Sequence, residues 1–154
     1  MIRVLLVCLG NICRSPMAEA VLREQLNRAG MSNYVEVDSA GTGNWHIGQD
    51  PHPGTLKILK DHSISATGLK GRQLQPDDFA AFDYILGMDQ HNIMDIRLIL
   101  GQSTHPKICR FLDLTDQAKD VPDPYFTGDF EETYELISKG SAALIGKIKR
   151  EHNV

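Results

Sequence analysis

Three cysteines are too few to staple a small fold, and an odd number cannot all pair. Their scarcity excludes the disulfide-rich secreted class and points to free thiols in a cytoplasmic protein. No run of about 18 apolar residues occurs, which excludes a membrane-spanning helix. The apolar start, Ile2 and Val4 to Leu9, is broken by Gly10 and Asn11, too early for the core of a signal peptide. Basic charge is not in excess either: 16 Lys and Arg stand against 20 Asp and Glu, a net charge of −4. Duplex nucleic acid is therefore not the expected partner, since neutralising its phosphates takes a concentrated basic surface. Lys147, Lys149 and Arg150 read as a solvated helix end. Any phosphate must be bound locally, by a loop rather than by a field. The six histidines form no i, i+4 pair and none stands at zinc-finger spacing from a cysteine, so no metal and no cofactor are expected. Repeats, low-complexity tracts and linkers are missing as well.

What remains is an ordinary core-forming composition, 42% hydrophobic and 23% charged, sized for one domain over residues 1–154. Ile2 to Cys8 is apolar apart from Arg3 and reads as a strand buried on both faces. Ser15 and Pro16 open a helix with stripe Ala18, Val21, Leu22, Leu26 and Ala29, ended by Gly30. Tyr34 to Asp38 alternates as a strand, and Ser39 to Gly43 reads as a loop. A short helix follows Pro53, with Leu56, Ile58 and Leu59. Phe82 to Met88 is a third strand, and Asp89 caps a helix carrying Ile93, Ile96, Leu98 and Leu100, closed by Gly101. Lys107 to Leu112 reads as the fourth strand, and residues 113–128 as a functional surface loop. Asp129 and Glu132 stand at capping-box spacing before a long amphipathic helix through Phe130, Tyr134, Ile137, Ser141, Leu144, Ile145 and Ile148. Strand and helix alternate, which predicts a one-domain α/β fold. Its twisted sheet of about four parallel strands is flanked by helices, with ligands at the carboxyl ends of the strands.

The first strand ends at Cys8, and Cys8-Leu9-Gly10-Asn11-Ile12-Cys13-Arg14-Ser15 joins it to a helix start. Such a loop can wrap its N–H groups around an anion while the helix start adds partial positive charge. Arg14 offers a planar fork for two phosphate oxygens. Cys8, beside both, is placed to react as a thiolate. Ser15 can cap the helix or donate to that sulfur. A thiolate aimed into an anion cradle performs nucleophilic catalysis at a phosphate monoester. Other phosphate motifs are missing: Gly41-Thr42-Gly43 does not continue as a dinucleotide fingerprint, and no Walker lysine follows a glycine-rich loop. Four residues separate Cys8 from Cys13, so the redox Cys-x-x-C spacing is missing too.

Val7-Cys8-Leu9-Gly10-Asn11-Ile12-Cys13-Arg14-Ser15-Pro16, Asp38-Ser39-Ala40-Gly41-Thr42, Met88-Asp89-Gln90-His91-Asn92 and Asp123-Pro124-Tyr125 together resemble the low-molecular-weight protein tyrosine phosphatases. The resemblance implies hydrolysis of phosphotyrosine through a phosphocysteine, without metal. Cys8 resembles the nucleophile, Arg14 the phosphate clamp and Asp123 the general acid and base. Leu9, Gly10, Asn11, Ile12 and Cys13 resemble the phosphate loop. Asn11 and Ser39 resemble the pair that holds that loop, and Ser15 resembles the hydroxyl that stabilises the thiolate. Trp45, Tyr125 and Phe126 correspond to the aromatic wall around the substrate ring. Phe126 stands where many relatives carry a second tyrosine, which leaves Tyr125 as the candidate for phosphorylation. A histidine that joins the loop network in many relatives is missing from Ser65 to Arg72, so Thr67 or water is expected to replace it. The resemblance further implies phosphotyrosine proteins and a tyrosine kinase as partners, and inhibition by phosphate or vanadate. Cys13 shares the wrapped loop with Cys8, which suggests redox control through a Cys8–Cys13 disulfide. Three readings compete. An arsenate reductase on this fold needs a cysteine shuttle, whereas Cys109 has no partner nearby in sequence. A phosphoarginine phosphatase carries a smaller polar residue where Ile12 stands. A non-catalytic phosphate binder is expected to have lost Cys8 or Asp123.

Overall fold

A computed structural model describes residues 1–154. Four parallel strands lie in the order β2-β1-β3-β4: β1 Ile2–Cys8, β2 Val35–Gly41, β3 Tyr84–Gly87 and β4 Ile108–Arg110. The helices are α1 Arg14–Arg28, α2 Pro53–Asp61, α3 Asp78–Ala81, α4 Gln90–Leu100, α5 Pro124–Thr127 and α6 Phe130–His152. Alternation along β1 divides the core between two faces. Val4, Leu6 and Cys8 pack with Met17 and Leu22 of α1 and with Ile137 and Leu144 of α6. Leu5 and Val7 pack on the opposite face with Ala40, Ile85, Ile93 and Ile96. The continuous apolar run therefore arises from burial on both sides. The carboxyl end of this central strand, at Cys8, opens towards the phosphate loop. No helix is long and apolar enough to cross a membrane.

Several boundaries differ from the sequence reading. The first helix begins at Arg14, with Cys13 in the cap position and no side-chain cap. Pro16, the third helical residue, is tolerated because the first N–H groups of a helix lack intrahelical partners anyway. Ser15 is consequently freed from capping. Ser39, expected in a loop, lies inside β2, where Ser39, Ala40 and Gly41 pair in register with Leu6, Val7 and Cys8. The small residues allow close approach: a Cβ on Gly41 would lie 2.9 Å from the Leu9 carbonyl oxygen. Strand β4 is only three residues, and Phe111–Leu114 turns instead into a 3-10 helix. Phe111 there is fully buried, and a Cβ on Gly140 of α6 would meet its ring at 2.2 Å, so tight packing against α6 overrides strand propensity. Leu98, counted in the apolar stripe of α4, is exposed.

Candidate active site

Between Cys8 and Arg14 the chain curls so that its carbonyls face away from the sulfur. The Cys8 carbonyl accepts from Thr42 N–H at 3.0 Å, Leu9 from Gly43 N–H at 2.9 Å and Ile12 from His52 N–H at 2.7 Å. The Cys13 carbonyl accepts from the Thr55 hydroxyl at 3.1 Å. The N–H groups of Leu9, Gly10, Ile12 and Cys13 donate to no other protein atom. Asn11 N–H, by contrast, donates to Cys8 Sγ at 3.3 Å. Fixed carbonyls and free N–H donors beside a sulfur, at a helix N-terminus, are the make-up an anion nest requires.

The curl requires Asn11 at φ 55°, in the left-handed region that Asn enters more readily than most residues. Its buried side chain holds the bend. Asn11 Nδ2 donates to Ser15 Oγ at 2.8 Å and to Ser39 Oγ at 3.0 Å. Asn11 Oδ1 accepts from the backbone N–H of Arg72 at 2.9 Å. Ser39 Oγ in turn lies 2.6 Å from Glu19 Oε1, and Ser15 Oγ lies 2.9 Å from Cys8 Sγ. Thr67 does not take the place of the missing histidine. Thr67 is bound only to Ser65 on the exposed turn, while the Arg72 backbone and Glu19 satisfy Asn11 and Ser39.

Arg14 is 2% exposed and held from behind. Its Nη1 donates to Asp89 at 2.7 Å and to the Val121 carbonyl at 2.9 Å, and its Nη2 reaches Asp123 at 3.4 Å. Burial opposes its charge, but Cys8, Asp89 and Asp123 together outweigh that and hold the guanidinium protonated. Nε makes no protein hydrogen bond, and Arg14 contributes to the lining of the same pocket as Cys8. Asp89 doubles as the cap of α4, accepting from Asn92 N–H at 2.8 Å. Asp123 caps α5 through Oδ1, which accepts from Tyr125 N–H at 3.0 Å. Its Oδ2 is left for Arg14.

Cys8, Leu9, Gly10, Ile12, Cys13, Arg14, Asp123, Trp45, Tyr125 and Phe126 line one pocket of about 180 Å³. Cys8 itself is only 3% exposed, so reagents reach it through that pocket. Trp45, Tyr125 and Phe126 stand at the mouth, 63%, 59% and 78% exposed. The Tyr125 and Phe126 rings meet edge to face at 5.3 Å. Asn11, Ser15 and Ser39 lie behind the loop rather than in its lining. Cys13 lines the pocket as a neutral thiol, pushed up to about 12 by burial, Asp123 and Cys8.

Sequence reasoning missed three participants. Glu19 is a buried carboxylate whose pKa burial raises, against the lowering pull of Ser39 and Arg23. A glutamate between Ala18 and Ala20, one turn after Ser15, was the available signal. His52 pins the Ile12 carbonyl through its N–H, caps α2 through its ring and packs its edge near Tyr125 at 6.1 Å. Arg72 contributes by backbone, which no side-chain pattern reveals. His46 also lines the pocket, where a Cβ on Gly10 would meet its ring at 3.2 Å.

Comparison with known proteins agrees over the whole chain. Residues 3–154 match the family described as low molecular weight phosphotyrosine protein phosphatase. The low molecular weight protein-tyrosine-phosphatase YfkJ of Bacillus subtilis is 47% identical over 153 residues, 98% of each chain. Its crystal structure superposes with a TM-score of 0.95, covering 98% of this chain and 96% of that one. PtpA of Staphylococcus epidermidis, of the same description, is 42% identical over 155 residues, covering 100% of this chain and 98% of its own. The structure of a Drosophila arginine phosphatase is also similar, at 31% identity and a TM-score of 0.85 over 97% of this chain and 98% of that one. The chain belongs to the low molecular weight protein tyrosine phosphatase family.

Proposed function

We propose that this protein hydrolyses phosphotyrosine in proteins, and aryl phosphate monoesters generally, by way of a phosphocysteine at Cys8. The observation that carries the reading is the ring of four unpartnered N–H groups, with Arg14, around the Cys8 sulfur in one pocket. The three non-bridging phosphate oxygens take those donors and the guanidinium fork, whose geometry suits the charge-rich transition state. Cys8 Sγ attacks phosphorus, forming the S–P bond as the P–O bond to the ring breaks. Asp123 gives its proton to the departing phenolate. Water then attacks phosphorus while Asp123 takes its proton, and Cys8 leaves as thiolate, releasing inorganic phosphate. Ser15 O–H, 2.9 Å from the sulfur, eases that departure. Leu9, Gly10, Asn11, Ile12 and Cys13 form the cradle and Ser39 supports it from β2. Trp45, Tyr125 and Phe126 flank the ring of the substrate, and Ile12 on the pocket wall favours a flat aryl group over a guanidino group.

Phosphotyrosine proteins are the expected partners, a tyrosine kinase among them, with the cytoplasm as the place of action. Phosphate and vanadate compete for the cradle. The test is phosphate release from a phosphotyrosine peptide in EDTA, beside phosphoserine and phosphoarginine controls. Turnover of the tyrosine ester alone supports the reading; preferential turnover of phosphoarginine overturns it. The Cys8→Ser variant is expected to lose turnover yet still bind phosphate, because the cradle and Arg14 remain. Residual activity within about tenfold of wild type removes the covalent route, since a factor of ten is only 1.4 kcal/mol of barrier.

A further inference from the structure

We propose that Glu19, buried beneath the phosphate loop and apart from the pocket lining, is a positioning residue: through Ser39 its carboxylate holds the Asn11 amide that directs the Ser15 hydroxyl proton onto the Cys8 sulfur. The inference rests on the reading of Cys8 as nucleophile. It follows from hydrogen-bond valence along a closed chain of buried groups with two fixed ends.

At one end stands the backbone N–H of Arg72, which can only donate, 2.9 Å from Asn11 Oδ1. That contact fixes the Asn11 amide with its oxygen towards Arg72 and both Nδ2 protons towards Ser15 and Ser39, at 2.8 and 3.0 Å. At the other end stands the Glu19 carboxylate, which when ionised can only accept, 2.6 Å from Ser39 Oγ. Ser39 therefore gives its single proton to Glu19 and accepts from Asn11. Ser15 accepts the other Asn11 proton, which leaves its own proton free for Cys8 Sγ at 2.9 Å. Every proton in the chain has one place to go. The arrangement also holds Asn11 in its left-handed conformation, on which the loop bend depends.

The carboxylate is kept in register by Arg23, one turn further along α1 and half exposed, which hydrogen-bonds Glu19 Oε2 and also donates to the Val37 carbonyl. Asp38 on β2 is the neighbouring charge that opposes Glu19, and Arg72 pairs with Asp38 at 3.0 Å. Arg23 gives the proposal a specific signature. In a Glu19→Gln variant the guanidinium holds the amide oxygen, so the amide NH₂ is turned to Ser39. Ser39 then faces two donors, and its own proton has no acceptor. The chain must break at Ser39 or at Asn11. Removing Arg23 as well, in Glu19→Gln/Arg23→Met, lets the amide rotate, present its oxygen to Ser39 and restore the original polarity.

The experiment compares wild type, Arg23→Met, Glu19→Gln and the double variant by two readouts. One is the rate of iodoacetamide alkylation of Cys8 at pH 6, followed by peptide mass; the other is kcat and KM for p-nitrophenyl phosphate. Glu19→Gln is expected to alkylate about tenfold more slowly and to lose about tenfold in kcat with little change in KM, the equivalent of one neutral hydrogen bond. The double variant is expected to return to within about twofold of Arg23→Met. Thermal melting identifies variants that fail to fold, and Ser39→Ala, which removes the same link, is expected to slow alkylation if Glu19→Gln is unfolded. Equal alkylation and kcat in wild type and Glu19→Gln overturn the proposal. So does a double variant as slow as the single one, or an unaltered Ser39→Ala. Absence of wild-type turnover refutes the phosphatase reading instead, and the alkylation series still decides the role of Glu19.

Discussion

Replacing Asp123 by Asn and by Ala separates proton transfer from structure, because the two carboxylate oxygens have different partners. Oδ1 caps α5 by accepting from Tyr125 N–H at 3.0 Å, whereas Oδ2 meets Arg14 Nη2 at a long 3.4 Å. The amide oxygen of Asn can take the cap, so Asp123→Asn is expected to melt close to wild type. Ala removes the cap, which costs about 1 kcal/mol. For a chain of this length that is a fall of about 2–4 °C in Tm. Catalysis moves differently: both variants lose the proposed proton donor, and kcat for phosphotyrosine is expected to fall about 10²–10⁴-fold in each. At about 1.4 kcal/mol per factor of ten, that is about 3–5 kcal/mol of barrier, several times the change in stability. The assay is kcat across phenyl, p-nitrophenyl and 2,4-dinitrophenyl phosphate, with melting curves on the same preparations. The loss is expected to shrink as the leaving phenol becomes more acidic and needs less help from a proton. An equal loss for phenyl and dinitrophenyl phosphate would refute Asp123 as the acid.

Arg14→Lys is expected to cost at least about 10²-fold in kcat, because one ammonium cannot reach Asp89, Val121 and two phosphate oxygens together; activity within tenfold of wild type would contradict the clamp. Peroxide is expected to inactivate the enzyme reversibly: Cys8 becomes a sulfenic acid, the Cys13 thiol condenses with it, and water leaves as the disulfide forms. Dithiothreitol should then restore wild type but not Cys13→Ser, bound phosphate should protect, and a disulfide mapped to Cys109 would sink the idea. Alkali should destabilise the fold. Burial holds the Cys13 thiol up at about 12 and the Cys109 thiol at about 11, against 9.0 unperturbed. Above about pH 9 the unfolded chain therefore releases protons that the folded chain keeps, and stability falls as pH rises through the folded values. Urea midpoints between pH 8 and 10.5 check this, and a Cys13→Ala/Cys109→Ala variant with an undiminished slope would contradict it.

The central strand, the long last helix and the phosphate loop were legible in the sequence because each is governed by local rules. Burial on both faces leaves Ile2–Cys8 almost wholly apolar, the period of the last helix survives over six turns, and the loop from Cys8 to Arg14 is one unbroken stretch of chain. Asn11 announces its backbone, since few other residues enter φ 55° readily. Element ends were less legible: Ser39 reads as a loop residue by its hydroxyl, yet pairing with Leu6 draws it into β2. What the tertiary structure alone decided is which distant groups finish the site. The Arg72 backbone N–H and the Ser39 hydroxyl reach Asn11 from 61 and 28 residues away. Glu19 closes that chain from inside a helix, and the Val121 carbonyl and Asp89 hold Arg14 from 107 and 75 residues away. Such partners are chosen by strand register and helix packing, and a backbone donor carries no residue type for a sequence pattern to display. Sequence determined which residue types gather in the loop; folding determined which distant groups hold them.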